Sequence, residues 1–197
     1  TWTVVEEPVE FTKAQTWKHY VDLKRLEITC GEAPYLVSRY DVSTGELIVP
    51  TKHRIGQLDR KLRIVNENAS DYDEWIKWAI RAFEATYGYE YQGDNLLIAR
   101  INLLLTFIDY YTERWERGPD ERLLQQMADK ITWNIWQMDG LKDTVPLGKP
   151  YKKYHQMSLF DILPRSLKEK EELESIPCKI FDWREKKSLF FKELKEN

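Results

Sequence analysis

Apolar positions recur at helical intervals through the middle of the chain. From Arg54 to Asn66, Ile55, Leu58, Leu62 and Val65 mark one face of a short amphipathic helix and leave Arg54, Arg60, Lys61 and Arg63 toward other faces. Ser70 followed by Asp73 offers an N-terminal cap for a second helix through Trp75, Trp78, Ala79, Ala82 and Phe83, stopping at Gly88. Asp94 caps a third, in which Leu96, Leu97, Ile101, Leu104, Leu105 and Ile108 form a wide apolar face that ends near Trp115. Gly118-Pro119-Asp120 then stops one helix and caps the next, which carries Leu123, Leu124, Met127, Ile131 and Ile135 as far as Met138, before Gly140. Connections of only a few residues predict antiparallel neighbours packed as a bundle.

Period-two stretches lie toward the two ends. The opening "TWTVVEE" alternates as a short strand, and Thr12 with Gln15 has capping-box spacing for a helix of about four turns that includes Trp17, Tyr20, Val21 and Leu26. "LEITC" and "ELIVP" predict strands, with a turn at Ser43-Thr44-Gly45, so "CGEAPYLVSRYD" falls in a loop between them. "PCKIFDW" predicts a late strand, and the apolar residues of "SLFFKELKEN" tuck it against the body. The expected architecture is α+β and mainly α-helical: a helical-bundle core with a few short strands near the N-terminus and C-terminus. Residues 1–145 form the helix-rich core, 146–176 a proline-bearing, charged connector, and 177–197 a C-terminal strand and helix packing on the core.

Composition narrows the classes. The 197 residues are 42% hydrophobic and 32% charged, with eight glycines and eight prolines, as in an ordinary globular protein. The longest mostly apolar run, residues 95–108, contains Arg100 and falls short of the roughly 20 apolar residues that span a bilayer. The start at Thr1 shows no secretory signal, and its lack of an initiator methionine suggests a processed or excised chain. Cys30 and Cys178 form no CxxC pair, which excludes a zinc ribbon or redox dithiol and fits a cytoplasmic protein with reduced thiols. A formal charge of −3 argues against binding nucleic acid through global charge and leaves a local basic face open.

No complete catalytic constellation is visible. His19, His53 and His155 have no metal-ligand spacing. Gly88 and Gly93 in "GYEYQGDN" lack phosphate-loop spacing and read as a helix stop and a turn. Asp182, Glu185 and Lys187 in "FDWREKK" have the residue types of a metal-dependent nuclease, but one local run of charge reads more simply as solvated. Trp133 and Trp136, one turn apart on a helix, are candidates for stacking on an extruded base, with core packing as the plainer alternative. Lys52, Arg54, Arg60, Lys61 and Arg63, with His53, form the best candidate phosphate face; a solvated face paired with Asp59 and Glu67 is the alternative. Arg39 forks to a phosphate or base, or pairs with Glu32 or Asp41 and holds its loop.

Five blocks, "RLEITCGEAPYLVSRYDVSTGE", "RIGQLDRKLRIVNEN", "YGYEYQGDNLLIARINLL", "WNIWQMDGL" and "FDWREKKSLFFKEL", resemble in order the C-terminal portion of bacterial adenine-specific DNA methyltransferases, the modification subunits of restriction-modification systems. The resemblance implies a parent with a Rossmann-like catalytic domain, S-adenosylmethionine at a glycine-bearing loop, and an Asn-Pro-Pro-Tyr type signature that clamps a flipped adenine. This chain has no such tetrapeptide and no GxG loop after a strand, so no catalytic, cofactor-binding or metal residue carries over. The expectation is a non-catalytic C-terminal module that positions DNA or braces the catalytic domain. Its implied partners are duplex DNA through the parent, an upstream methyltransferase domain and a restriction subunit. Two alternatives are a nuclease-associated domain and a protein-interaction module.

Overall fold

In the computed structural model, residues 16–41, 43–146 and 176–194 are described; the predicted strand "TWTVVEE", the Thr12 cap and most of the 146–176 connector lie outside them. The fold is α+β and mainly helical. Helix α1 (Trp17–Asp22) is followed by strand β1 (Arg25–Glu27), helices α2 (Gln57–Asn68) and α3 (Tyr72–Glu84), and strand β2 (Thr86–Glu90). Helices α4 (Gly93–Trp115) and α5 (Glu121–Asn134) then lead to strand β3 (Ile135–Gln137). A hairpin of β4 (Lys179–Asp182) and β5 (Lys187–Phe190) closes the described chain with a 3-10 turn, Phe191–Leu194.

The helices form where periodicity and caps agree. Asp71, rather than Ser70, accepts the Glu74 N–H as the α3 cap, while the Glu74 carboxylate accepts the Ser70 N–H just before it. Asp120 caps α5 as expected. Helix α1 is shorter than predicted because Leu26 belongs to β1.

Strands β2 and β3 are not expected from the sequence, and they change the architecture; in addition β5 and a 3-10 turn stand where a C-terminal helix is expected, and the expected strand "ELIVP" is only a single bridge between Tyr40 and Leu47. Helix α3 ends at Glu84, so Gly88 is no helix stop but the centre of β2, where a Cβ would sit 3.3 Å from Cys30, Leu36 and Ile135. Helix α5 ends at Asn134, whose side-chain amide donates to the carbonyls of Phe83 and Thr86 while its oxygen accepts from the Trp183 indole. The next three residues join the sheet, so Trp133 and Trp136 do not share a helix. Strands β1, β2 and β3 lie side by side in that order, all parallel, with Leu26 opposite Tyr87 and Tyr89 opposite Trp136. Each parallel crossover holds two helices, which is the long connection such a pairing requires.

Both faces of this sheet are covered. The helices pack Leu58, Leu62, Trp75, Phe83, Leu103, Phe107 and Met127 with Ile135 on one side. Tyr87, Tyr89 and Trp136 point to the other, against Ile180 and Phe191 of the hairpin unit. Strand β2 is therefore buried at all five positions, as a central parallel strand should be.

Candidate functional site: the carboxyl edge of the sheet

In an open parallel sheet, loops leaving the carboxyl ends of the strands gather on one edge. Here that edge collects three of the blocks singled out in the sequence. "CGEAPYLVSRYD" leaves β1, "YQGDN" joins β2 to α4, and "QMDGL" leaves β3.

Glu90, the last residue of β2, ties them together. Its carboxylate accepts the Gly31 N–H at 2.8 Å through Oε2 and the Gln92 N–H at 3.0 Å through Oε1, while its carbonyl accepts the Met138 N–H at 3.0 Å. The Cys30 N–H donates to the Tyr89 carbonyl at 2.8 Å, so the loop after β1 stays registered on β2. The Gln137 amide donates to the Tyr91 carbonyl and the Asn102 amide of α4 to the Glu32 carbonyl. Glu90 is 8% exposed, whereas Glu32, Tyr91, Gln92, Gly93, Asp94 and Gln137 face solvent around it.

The β1 loop turns through three residues of positive φ, Thr29, Gly31 and Ala33. Nothing lies within 4 Å of where a Gly31 Cβ would point, so the space in front of this turn is open. A glycine turn thus does follow a strand, although without the GxG spacing, and it meets a carboxylate from the next strand. The start of the "CGEAPYLVSRYD" loop is thus held by hydrogen bonds to the end of β2, at Tyr89 and Glu90.

Acid-base and nucleophilic chemistry find little support here. Burial, with the carboxylates of Glu90 and Glu27, pushes the Cys30 thiol up to about 12, and burial with Asp143 pushes Cys178 to about 11, so neither is an activated nucleophile. Burial also raises the Glu27 carboxyl.

The predicted phosphate face disperses. Arg39 and Arg54 are buried and both reach Asp109 Oδ2, at 3.0 and 2.8 Å; Arg39 therefore pairs with neither Glu32 nor Asp41. Lys61 is fully buried, its ammonium donating to the carbonyls of Leu23 at 2.6 Å and Ala85 at 3.0 Å, just before β1 and β2. These three cations are architectural, because an ion removed from water needs its counter-charge or carbonyls inside the protein. Arg63 is half-buried and bonds the Lys52 carbonyl, which leaves Lys52 and Arg60 exposed. Trp136 is buried against Tyr89 and Phe191, while Trp133 is 41% exposed and rests on Phe181. They do not form a joint stacking platform.

Asp182, Glu185 and Lys187 stitch the β4–β5 turn. Asp182 Oδ1 accepts the N–H groups of Arg184 and Glu185, its Oδ2 pairs with Lys24, and Lys187 pairs with Glu185. These bonds explain the cluster without catalysis. Among the described residues no group of three His, Cys, Asp or Glu side chains is arranged to hold a metal ion, and no helix is long and apolar enough to cross a membrane.

The sequence does not single out Glu90, because a helix stop at Gly88 hides the strand that carries it. The signal was present: "TYGYE" and "IWQ" are β-prone runs between pairs of helices, an alternation that marks a parallel sheet. No protein-family model, no curated protein and no solved structure matches the chain.

Proposed function

We propose that this chain is a cytoplasmic module of a bacterial adenine-specific DNA methyltransferase from a restriction-modification system. Its role is to brace the catalytic part and, in place of the expectation that no residue of this chain binds the cofactor, to contribute a nucleoside-binding edge for S-adenosylmethionine. The observation that carries the proposal is the tie at Glu90, which gathers three of the resembling blocks at the carboxyl edge of one parallel sheet. A carboxylate at the end of a parallel strand is also the group with which dinucleotide-binding sheets hold a ribose hydroxyl, and this one stands beside a glycine turn.

The residues fit a nucleoside. Each Glu90 oxygen takes one main-chain N–H and keeps acceptor capacity for a ribose hydroxyl. The bare Gly31 backbone lets a ligand approach closely, and Tyr91, next to Glu90 in the chain, is exposed. When bound, the cofactor supplies the methyl group; this chain's residues hold and orient its nucleoside. The clamp for the target adenine comes from elsewhere in the parent, because no Asn-Pro-Pro-Tyr type tetrapeptide occurs here. Duplex DNA and a restriction subunit are then partners of the parent. The burial of Arg39, Arg54 and Lys61 moves the emphasis from positioning DNA to bracing and cofactor binding.

Titration of the chain with S-adenosylhomocysteine, followed by calorimetry and amide chemical shifts, tests the proposal. The expected result is saturable binding that shifts the amides of Gly31, Glu90 and Gln92. Glu90→Gln and Gly31→Asn abolish it; Asn tolerates the left-handed backbone and fills the open approach. The chain alone, given S-adenosylmethionine and DNA, transfers no methyl group. Absence of saturable binding, or robust DNA methylation by the isolated chain, overturns the proposal.

A further inference from the structure

The connection from β1 to α2 is long, residues 28–56, and α4 holds it at several points along its length. At the far end the Glu113 carboxylate accepts the Thr51 N–H at 3.0 Å, and the Tyr110 hydroxyl donates to the Thr51 carbonyl at 3.2 Å. In the middle Asp109 takes Arg39 and Arg54. About two turns back along the helix, the Asn102 amide donates to the Glu32 carbonyl at 3.1 Å.

The near end is where such a grip matters most. Thr29, Gly31 and Ala33 have φ of 50°, 55° and 67°, and for the two that are not glycine this is a conformation L residues avoid, β-branched Thr29 above all. A turn of this shape persists only where its surroundings hold it. Inside the turn the Ala33 N–H donates to the Cys30 carbonyl at 2.7 Å. From outside, β2 supplies two bonds, the Tyr89 carbonyl to the Cys30 N–H and the Glu90 carboxylate to the Gly31 N–H, and both take hold before Glu32. The bond from Asn102 takes hold at Glu32 itself, between the left-handed Gly31 and Ala33.

We propose that Asn102 is the positioning residue of the carboxyl edge: from the frame of α4 its amide fixes the Glu32 carbonyl, and so fixes Gly31 against Glu90. Helix α4 begins at Gly93, three residues after Glu90, so the element that follows the carboxylate also pins the turn that meets it. A loop pinned in this way is pre-organised, and a ligand binds it without first having to order it. That this ligand is a nucleoside rests on the function proposed above, whereas the pinning of the turn is a property of the chain by itself.

Amide hydrogen exchange on the full chain reads the turn without any ligand. Asn102→Asp keeps the shape of the side chain but loses the donor, and the Gly31 amide should then exchange about fivefold faster, as for the loss of one hydrogen bond. Asn102→Gln carries the same amide on a longer arm and restores part of the protection. Glu113→Ala is the control: it removes a bond at the far end of the same connection, speeds the Thr51 amide and leaves Gly31 unchanged. In the same samples the affinity for S-adenosylhomocysteine falls by the same factor in Asn102→Asp and stays at the wild-type level in Glu113→Ala. Gly31 exchange that Asn102→Asp leaves unchanged, or that Glu113→Ala speeds as much, overturns the proposal. So does wild-type affinity in Asn102→Asp. A wild-type chain that binds no S-adenosylhomocysteine removes the nucleoside reading alone, and the exchange comparison still decides the role of Asn102.

Discussion

Replacing Lys61 by Met isolates the charge that sits deepest in the fold. The side chain is fully buried on α2, and its ammonium bridges the carbonyls of Leu23, two residues before β1, and Ala85, the residue before β2. Burial, reinforced by the nearby Arg25, pulls its pKa down to about 7, against the opposing pull of Asp22. An unfolded lysine titrates near 10.4, so between about pH 7 and pH 10.4 the unfolded chain holds a proton that the native protein has released. Stability therefore rises with pH across that window, and below it the native state bears the full cost of a buried cation. The slope approaches about 1.4 kcal/mol per pH unit above pH 7, which amounts to about 2 to 3 kcal/mol between pH 6 and pH 9. Lys61→Met keeps the length of the side chain and has nothing to titrate, so the difference between wild type and variant cancels every other ionisable group. Urea unfolding followed by tryptophan fluorescence at pH 6, 7, 8 and 9 should show wild type gaining on the variant by that amount. Stability curves that stay parallel from pH 6 to pH 9 would refute the claim that the buried ammonium is held at a desolvation cost.

Two further perturbations probe the packing around the site. Asp59 is buried and its carboxyl is raised to about 6 by desolvation, opposed by the Ser38 N–H and Arg54. Because the native state keeps this proton longer than the unfolded chain, wild type should lose about 2 to 3 kcal/mol relative to Asp59→Asn as pH rises from about 4 to 6; a flat difference over that range contradicts it. Asp109→Asn removes the shared partner of Arg39 and Arg54, whose side chains are only 8% and 1% exposed, and should cost about 3 kcal/mol in urea unfolding. A loss under about 1 kcal/mol would mean that water already compensates both guanidinium groups.

The helices of this protein are legible in its sequence because their causes are local. The apolar face of α2 from Leu58 to Val65 and the Asp120 cap of α5 are set by residues a few positions apart, and they appear where periodicity places them. So does the late strand at Lys179–Asp182. The parallel sheet is legible only as β-prone runs between pairs of helices, since its strands are three to five residues long and the central one is buried on both faces, leaving no alternation of polar and apolar positions to read. Ile131 and Ile135 keep a helical interval, but pairing with Gly88 draws Ile135 into β3, and tertiary contact prevails over the local pattern. Charge was equally ambiguous: a sequence shows that Arg54 and Lys61 are cationic, not that Asp109 and two main-chain carbonyls lie within reach. Glu90 meets Gly31 from 59 positions away, so the candidate site exists only once the crossovers lay β2 against β1. Local spacing determined which residues could form helices; long-range pairing decided which loops became neighbours, and a binding edge is made of neighbours.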